Sequence, residues 1–205
     1  MPDTNTIIDG LQALLEPGRL LTDTDSLQHY GCDWTKKYHP KPLAVALPKT
    51  IDQVQALVQF ANKHQVALVP SGGRTGLSAA AVAANGEVVV AFDLMNQIKA
   101  FSAVDRTVVC QAGVLTEQLQ QYAIDEGLYY PVDFASAGSS QLGGNISTNA
   151  GGIKVIRYGM TRDWVAGLTV VTGAGEVVEF NSGLVKNATG YDFRHLFIGA
   201  EGTLG

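Results

Sequence analysis

Two glycine-rich segments carry the residue types best suited to hold a ligand through the backbone. The first reads Pro70-Ser71-Gly72-Gly73-Arg74-Thr75-Gly76-Leu77-Ser78. Glycines let consecutive N–H groups point into one concavity and let a ligand approach with no Cβ in the way, which is how proteins hold a pyrophosphate. The segment fits neither the GxxxxGK phosphate-binding motif nor GxGxxG spacing with its acidic residue. Taken alone, a tight exit from a strand explains it equally well.

The second segment covers residues 131–152 and is rich in small side chains, hydroxyls and carboxamides but poor in charge. It could wrap a large polar ligand by backbone contacts and neutral hydrogen bonds. Ordering so long a loop costs conformational entropy that packing alone would not offset, which favours a ligand over the alternative, a surface loop without one. A third cluster, Gly199, Gly202 and Gly205, lies at the end of the sequence.

The elements before the first segment predict a small lobe with parallel strands. Residues 5–15 place apolar side chains at helical spacing. An apolar strand at 43–47 is followed by a helix through about His64, with Thr50 and Gln53 as its capping box, and by a second strand at 66–69. Strand, helix and strand within this length are typical of a right-handed parallel crossover.

The pattern changes after residue 80 and predicts a larger, mixed lobe. Apolar strands at 88–92, 100–104 and 107–112 have short connections, and a helix follows at 116–126. Residues 165–171 and 176–180, joined by Thr172-Gly173-Ala174-Gly175, predict a hairpin. Short connections favour antiparallel pairing. We therefore expect an α+β fold whose first lobe covers about residues 1–80 and whose second covers about 81–205.

Composition excludes several classes of protein. The chain has 205 residues, of which 46% are hydrophobic and 16% charged, so we expect a folded core rather than disorder. With 14 Lys and Arg against 19 Asp and Glu, there is no basic excess for nucleic acid. Cys32 and Cys110 form no CxxC pair, so we expect reduced thiols and no metal site. The start resembles no signal peptide, which favours a cytoplasmic location, with peripheral attachment at the inner face of a membrane left open.

Five ordered motifs together resemble one protein family. They are the first segment, the Gly-Gly-Asn-x-x-Thr-Asn-Ala-Gly-Gly run at 143–152, Arg157-Tyr158-Gly159, Thr189-Gly190-Tyr191-Asp192, and the final Leu196-Phe197-Ile198-Gly199-Ala200-Glu201-Gly202-Thr203-Leu204-Gly205. This order is similar to the FAD-linked oxidases, which share a PCMH-type FAD-binding domain. Within them, the chain most resembles the D-2-hydroxyacid dehydrogenases that act on D-lactate, glycolate or D-2-hydroxyglutarate.

The resemblance implies a two-lobed domain with FAD lying extended between the lobes. It implies a pyrophosphate cradle made of Ser71, Gly72, Gly73, Arg74, Thr75 and Gly76, with Leu77 adjoining. The rest of the channel would be lined by Pro131, Asp133, Ser136, Ser140, Gly143, Gly144, Asn145, Thr148, Asn149, Gly151 and Gly152, and closed by Tyr158, Gly159, Glu201 and Gly202. Some relatives tether the flavin through a His in the first loop. Arg74 lies beside the glycine pair here, so the resemblance implies non-covalent FAD. Ala79, Ala80 and Ala81 replace a usual Gly-Gly pair.

The implied function is oxidation of a D-2-hydroxy acid to the 2-oxo acid, with an unknown electron acceptor. Relatives continue into a substrate-binding cap domain, so we expect this chain to be a fragment with weak FAD affinity and little activity alone. The uncovered face leaves a homo-oligomer open. Two alternatives are a flavin-binding subunit without turnover in a multi-subunit complex and a flavin-dependent reductase of the cell-wall precursor type.

No residue of the sequence stands out as the base that removes a substrate proton. His29, His39, His64 and His195 lack an adjacent Asp or Ser arrangement, so we expect surface or structural roles for them. The residues Arg157 and Arg162 could reach a carboxylate or the flavin edge, although a solvated charge is the simpler interpretation.

Overall fold

The first half of the chain folds around a four-stranded sheet. The computed structural model describes residues 3–181, 183–184 and 186–205. Its first elements are α1 (Thr4–Gln12), β1 (Leu20–Leu21), α2 (Thr24–Tyr30), β2 (Ala44–Ala46), α3 (Ile51–His64), β3 (Leu68–Ser71) and β4 (Val88–Ala91). The strand order is β1-β2-β4-β3, with β4 parallel to both of its neighbours and β1 antiparallel to β2. The predicted parallel crossover is confirmed.

Strand β4 is the centre of this sheet and is buried on both faces. Val88 and Val90 pack with Leu11 and Leu57 under the helices, whereas Val89 and its neighbour Ala91 belong to a second apolar cluster. The two faces follow from the two-residue alternation of a strand. Our placement of the strand at 88–92 in the second lobe was wrong. It inserts between β2 and β3, so the first sheet extends past residue 80.

The start of α3 shows how the sequence fixes a helix end. Thr50 caps it, its Oγ1 accepting a hydrogen bond from the N–H of Gln53 at 3.2 Å. The return bond of the predicted capping box differs, because Gln53 Oε1 accepts from the N–H of Lys49 at 2.7 Å rather than from Thr50. The bond from Gln53 to Thr50 satisfies an N–H group that the first helical turn leaves without a partner, and the bond from Lys49 holds the residue just before the cap.

The second half consists of small antiparallel sheets and short helices. Its elements are β5 (Ile98–Ser102), β6 (Thr107–Cys110), α4 (Thr116–Asp125), α5 (Leu142–Ser147), α6 (Val155–Tyr158), a 3₁₀ turn (Thr161–Trp164), β7 (Leu168–Val171), β8 (Val177–Phe180) and α7 (Arg194–Phe197). The β5–β6 and β7–β8 pairs are both antiparallel, which confirms the predicted pairing. The hairpin turn contacts α3, where Gln55 Nε2 donates to the carbonyl of Gly175 at 2.9 Å.

The described part of the chain holds no helix long and apolar enough to cross a membrane. It also holds no group of three or more His, Cys, Asp or Glu side chains placed to bind a metal. Cys32 and Cys110 are free, as predicted. Burial raises the pKa of the Cys110 thiol to about 11, so this thiol is protonated at neutral pH.

Candidate functional site

The first glycine segment leaves β3 with its backbone donors free. Within the described residues, the N–H groups of residues 72–78 donate to no protein acceptor. The run ends at Ala79, whose N–H donates to Asp33 Oδ2 at 3.1 Å. A row of unpaired amides is unfavourable for folding alone but is the arrangement that binds an anion. The segment therefore has the free donors that the predicted cradle requires, and its role in holding FAD stays a prediction.

The side chain of Arg74 stabilises the segment from within. Arg74 has a left-handed backbone, with φ of 58°, and its Nη1 donates to the carbonyl of Gly72 at 2.7 Å. Its guanidinium also pairs with both carboxylate oxygens of Asp93, at 3.0 and 3.3 Å, and lies over the ring of Tyr30. The Arg74 charge is therefore already paired, and what this residue offers a ligand is its backbone N–H.

The two predicted segments meet at Gly73. A Cβ built on Gly73 would overlap the carbonyl oxygen of Ser139 and lie 2.8 Å from the Cα of Ser140. One built on Gly72 would lie 3.6 Å from the Cα of Gly144. The close approach of the two backbones explains why glycine is needed at Gly73. The prediction that residues 131–152 form one loop was wrong in part, because α5 occupies its centre.

Three buried polar side chains hold the second segment in place. Thr116 Oγ1 lies 2.8 Å from Ser140 Oγ and accepts from Asn145 Nδ2 at 2.6 Å. The N–H of Thr116 donates to the carbonyl of Ser140 at 3.0 Å. The side chains of Ser140 and Asn145, both predicted to line the cofactor channel, are therefore hydrogen-bonded inside the protein. Thr116 was missed from sequence because its partners lie far along the chain.

Two buried polar atoms beside the cradle have no protein partner within the described residues. They are the hydroxyl of Ser71, which is fully buried, and the carbonyl oxygen Oε1 of Gln141. A Cβ on Gly72 would lie 3.6 Å from this Gln141 oxygen, so the atom faces the first segment. A buried polar group without a hydrogen bond costs about 1–3 kcal/mol, which a polar ligand would relieve. Sequence reasoning predicted Ser71 but missed Gln141.

The last residues of the chain pack against both segments. The N–H of Glu201 donates to the carbonyl of Ser147 at 2.8 Å, at the end of α5. Ser78 Oγ lies 3.4 Å from Glu201 Oε1, and a Cβ on Gly202 would lie 2.5 Å from Pro70 Cγ. The predicted closing residues Glu201 and Gly202 thus join the same junction. Three stretches distant in sequence are brought together here.

The remaining predicted residues flank this junction. Residues 131–133 run beside 152–154, where the N–H of Ile153 donates to the carbonyl of Asp133 at 3.0 Å. Lys154 lies 2.8 Å from Asp133, and its hydrogen bond lowers the pKa of that carboxyl. The others lie along the same stretch, in buried, turn or helix positions for Pro131, Ser136, Gly143, Thr148 and Asn149, and in partly buried irregular backbone for Gly151 and Gly152. Thr75, Gly76 and Leu77 lie on the open side of the first segment, where a Cβ on Gly76 would meet no atom within 4 Å.

Tyr158 and Gly159 contact residues that lie outside the two glycine segments. The ring of Tyr158 packs edge-on against Tyr129, and its carbonyl accepts from Trp164 Nε1 at 2.9 Å. Gly159 has φ of 77° and lies against Asp163. No contact recorded among the described residues joins these two positions to the first segment, so their closing role stays a prediction.

His195 has an acidic neighbour that was not expected from the sequence. His195 Nε2 lies 3.4 Å from Asp192, and its Nδ1 lies 3.1 Å from Arg162 Nη1. The expectation that all four histidines lack such a partner was wrong for His195. Asp192 is also paired with Arg194, whose hydrogen bond lowers the pKa of Asp192 to about 2. This cluster ties the final residues to the segment around Arg162.

A family model described as an FAD binding domain matches residues 42–181. The chain belongs to this family. The match covers β2, β3 and β4 of the first sheet, both glycine segments and the β7–β8 hairpin. FAD is therefore its cofactor, and the PCMH-type fold is confirmed.

Curated relatives named D-2-hydroxyglutarate dehydrogenase match nearly the whole chain. The chain is 72% identical over 199 residues to a D-2-hydroxyglutarate dehydrogenase of Stutzerimonas stutzeri (strain A1501), covering 97% of this chain and 43% of that protein. It is 41% identical over 194 residues to a mitochondrial D-2-hydroxyglutarate dehydrogenase of Danio rerio, covering 95% of this chain and 36% of that protein. The chain thus spans less than half the length of these relatives.

Solved structures of lower identity share the fold. Alkyldihydroxyacetonephosphate synthase superposes with a TM-score of 0.86 at 23% identity, covering 100% of this chain and 39% of that one. The structure of p-cresol methylhydroxylase with substrate bound superposes with a TM-score of 0.73 at 22% identity, covering 95% and 40% of the two chains. At such identities the likeness concerns the fold alone.

The residues of the FAD-binding domain fit a dinucleotide-type cofactor. Its diphosphate needs several hydrogen-bond donors, and the free amides of residues 72–78 would supply them. The unpartnered Ser71 hydroxyl can donate a further bond, and Gln141 Oε1 can accept one from a cofactor hydroxyl. These atoms were found unpaired in the protein alone, so the fit does not depend on the family match.

Proposed function

We propose that this chain is the FAD-binding domain of an enzyme that oxidises D-2-hydroxyglutarate to 2-oxoglutarate. The observation that carries the proposal is the 72% identity to a D-2-hydroxyglutarate dehydrogenase over nearly the whole chain. Mitochondrial relatives near 40% identity carry the same name, which favours this substrate over D-lactate and glycolate. All three substrates are 2-hydroxy acids, and D-lactate and D-2-hydroxyglutarate share the D configuration.

The chemistry of the reaction indicates separate roles for FAD, for the residues of this chain and for the rest of the enzyme. Oxidation removes two electrons and two protons from the substrate carbon and its hydroxyl, and FAD supplies the two-electron acceptor when bound. The residues of this chain hold the diphosphate through the amides of 72–78 and fix the second segment through Thr116. We found no candidate for the proton-accepting base within the described residues, and we infer that the rest of the enzyme supplies it.

Arg74 supports a flavin held without a covalent bond. The tether of some relatives is a His of the first loop, and here Arg74 beside the glycine pair is locked to Asp93 and Gly72. A guanidinium is no nucleophile at neutral pH. We therefore expect acid precipitation of the loaded protein to release all the flavin into the supernatant.

The substrate is tested with a protein of the relatives' length that carries this chain. Purified protein is assayed with D-2-hydroxyglutarate, L-2-hydroxyglutarate, D-lactate and glycolate and an artificial electron acceptor, and 2-oxo acid product is measured. We expect kcat/KM for D-2-hydroxyglutarate to exceed that for the other three at least tenfold. Higher kcat/KM with D-lactate or glycolate would refute the substrate but leave the class intact. Bound flavin without turnover of any of the four would favour the flavin-binding subunit.

The cytoplasmic location and the oligomeric state stay predictions. Size-exclusion chromatography with light scattering, run with and without FAD, tests whether the uncovered face brings two copies together.

A further inference from the structure

Residues 31–35 lie along the exit of the first glycine segment. The N–H of Trp34 donates to the carbonyl of Gly76 at 3.3 Å, and the N–H of Ala83 donates to the carbonyl of Gly31 at 3.0 Å. These bonds join stretches more than forty residues apart in sequence. The exit of the cradle is therefore fixed by a neighbour that is not itself part of the glycine segment.

Asp33 is the centre of this contact. Its side chain is only 3% exposed, and no Lys or Arg pairs with it within the described residues. Oδ1 accepts from the N–H and the hydroxyl of Thr35, at 3.0 and 2.7 Å, and Oδ2 accepts from the N–H of Ala79 at 3.1 Å. Burial raises the pKa of Asp33, but the hydrogen bonds from Thr35 and Ala79 outweigh it, and the pKa is lowered. The carboxylate is thus held ionised by neutral donors.

The residue that Asp33 anchors has an unfavourable backbone. Ala79 has φ of 65°, a left-handed conformation that is unfavourable for an L-residue with a Cβ. Such a conformation persists only where surrounding contacts impose it. Without the bond to Asp33, the exit at Ala79 would relax, and the amides just before it would lose their common direction.

We propose that Asp33 is a positioning residue for the cofactor, holding the free amides of residues 72–78 in the arrangement that receives the diphosphate. It acts through Ala79 rather than by touching the cofactor. The proposal rests on FAD binding and not on the identity of the substrate. A negative charge near the diphosphate repels it, so if only this repulsion mattered, neutralising Asp33 would strengthen FAD binding. If Asp33 instead positions the amides, neutralising it weakens FAD binding.

The test compares two substitutions that remove the same charge. Asp33→Asn keeps the size of the side chain but turns a donor toward Thr35 or Ala79, and Asp25→Asn changes an exposed residue of α2. FAD titration of the chain, followed by flavin fluorescence, gives Kd. We expect Asp33→Asn to raise Kd at least tenfold and Asp25→Asn to change it less than twofold.

A second measurement separates positioning from loss of the fold. Trypsin cleaves after Arg74, inside the segment, and mass spectrometry measures the rate at this bond in the FAD-free protein. We expect Asp33→Asn to speed this cleavage at least fivefold while cleavage after the exposed Arg106, in the turn between β5 and β6, changes little. A Kd that stays within twofold of the original, or falls, would overturn the proposal.

Thr35→Val keeps the proposal testable if Asp33→Asn fails to fold. It removes one of the three donors to Asp33 and leaves both backbone bonds in place. We expect Kd for FAD to rise about threefold with an unchanged melting temperature. An unchanged Kd for this folded variant would equally contradict a positioning role.

Discussion

The contact between the two glycine segments can be tested at a single atom. Gly73→Ala would place a methyl group on the carbonyl oxygen of Ser139 and 2.8 Å from Ser140 Cα, and both are backbone atoms that cannot rotate away. Overpacking of this kind costs about 1–3 kcal/mol. For a domain of this length about 2–4 °C of melting temperature corresponds to 1 kcal/mol, so a cost near 2 kcal/mol lowers Tm by about 4–8 °C.

Gly76→Ala is the matched control in the same segment. A Cβ there meets no atom within 4 Å, and the φ of Gly76 is not in the left-handed region. Because alanine also restricts the unfolded chain, Tm should stay constant or rise slightly. Both variants are followed by circular dichroism on heating without FAD. If Gly73→Ala melts together with Gly76→Ala, the two segments are not in contact and the described junction is incorrect.

Two further perturbations address the surroundings of this junction. Thr116→Val removes the hydroxyl to which Ser140 and Asn145 are both hydrogen-bonded. We expect the free energy of unfolding, measured with urea, to fall by about 1–3 kcal/mol. The control Thr107→Val on β6 should leave this free energy unchanged. The low pKa of Asp192, about 2, adds stability that is present above its unfolded pKa near 4 and is lost as pH falls toward 2. Asp192→Asn should therefore show a smaller fall in the urea midpoint between pH 5 and pH 2 than the original chain, and parallel curves would contradict this.

Local patterns were enough to predict most elements of the fold. The apolar stripe of α3, its Thr50 cap and the turn of the β7–β8 hairpin are each set by residues close in sequence. The position of β4 was not predictable in this way. A short run of valines is compatible with any strand that is buried on both faces, so the sequence does not show which sheet the strand joins. Only its pairing with β2 and β3 places it in the first sheet.

The same distinction applies to the site. Gly72, Gly73 and the glycines of the second segment were found because glycine itself signals close backbone approach. Thr116 and Gln141 gave no such signal, since ordinary polar residues acquire a role only from partners that fold next to them. The pairing of His195 with Asp192 was within reach, because the two lie three residues apart across the turn that leads into α7, where the N–H of His195 donates to the carbonyl of Asp192 at 3.3 Å.

Several residues with a strained backbone lie at the proposed cofactor site. Among the described residues, eight other than glycine have positive φ, and four of them lie in the three stretches that meet at the cradle: Arg74, Ala79, Asn149 and Glu201. Each has a holding contact, and the partners are in turn Asp93, Asp33, Arg162 and Ser147. Alternation between right- and left-handed residues turns successive N–H groups toward one concavity. Because these contacts lie within the protein, we expect the cradle to be ordered before FAD binds, so that binding does not have to provide the energy that orders it.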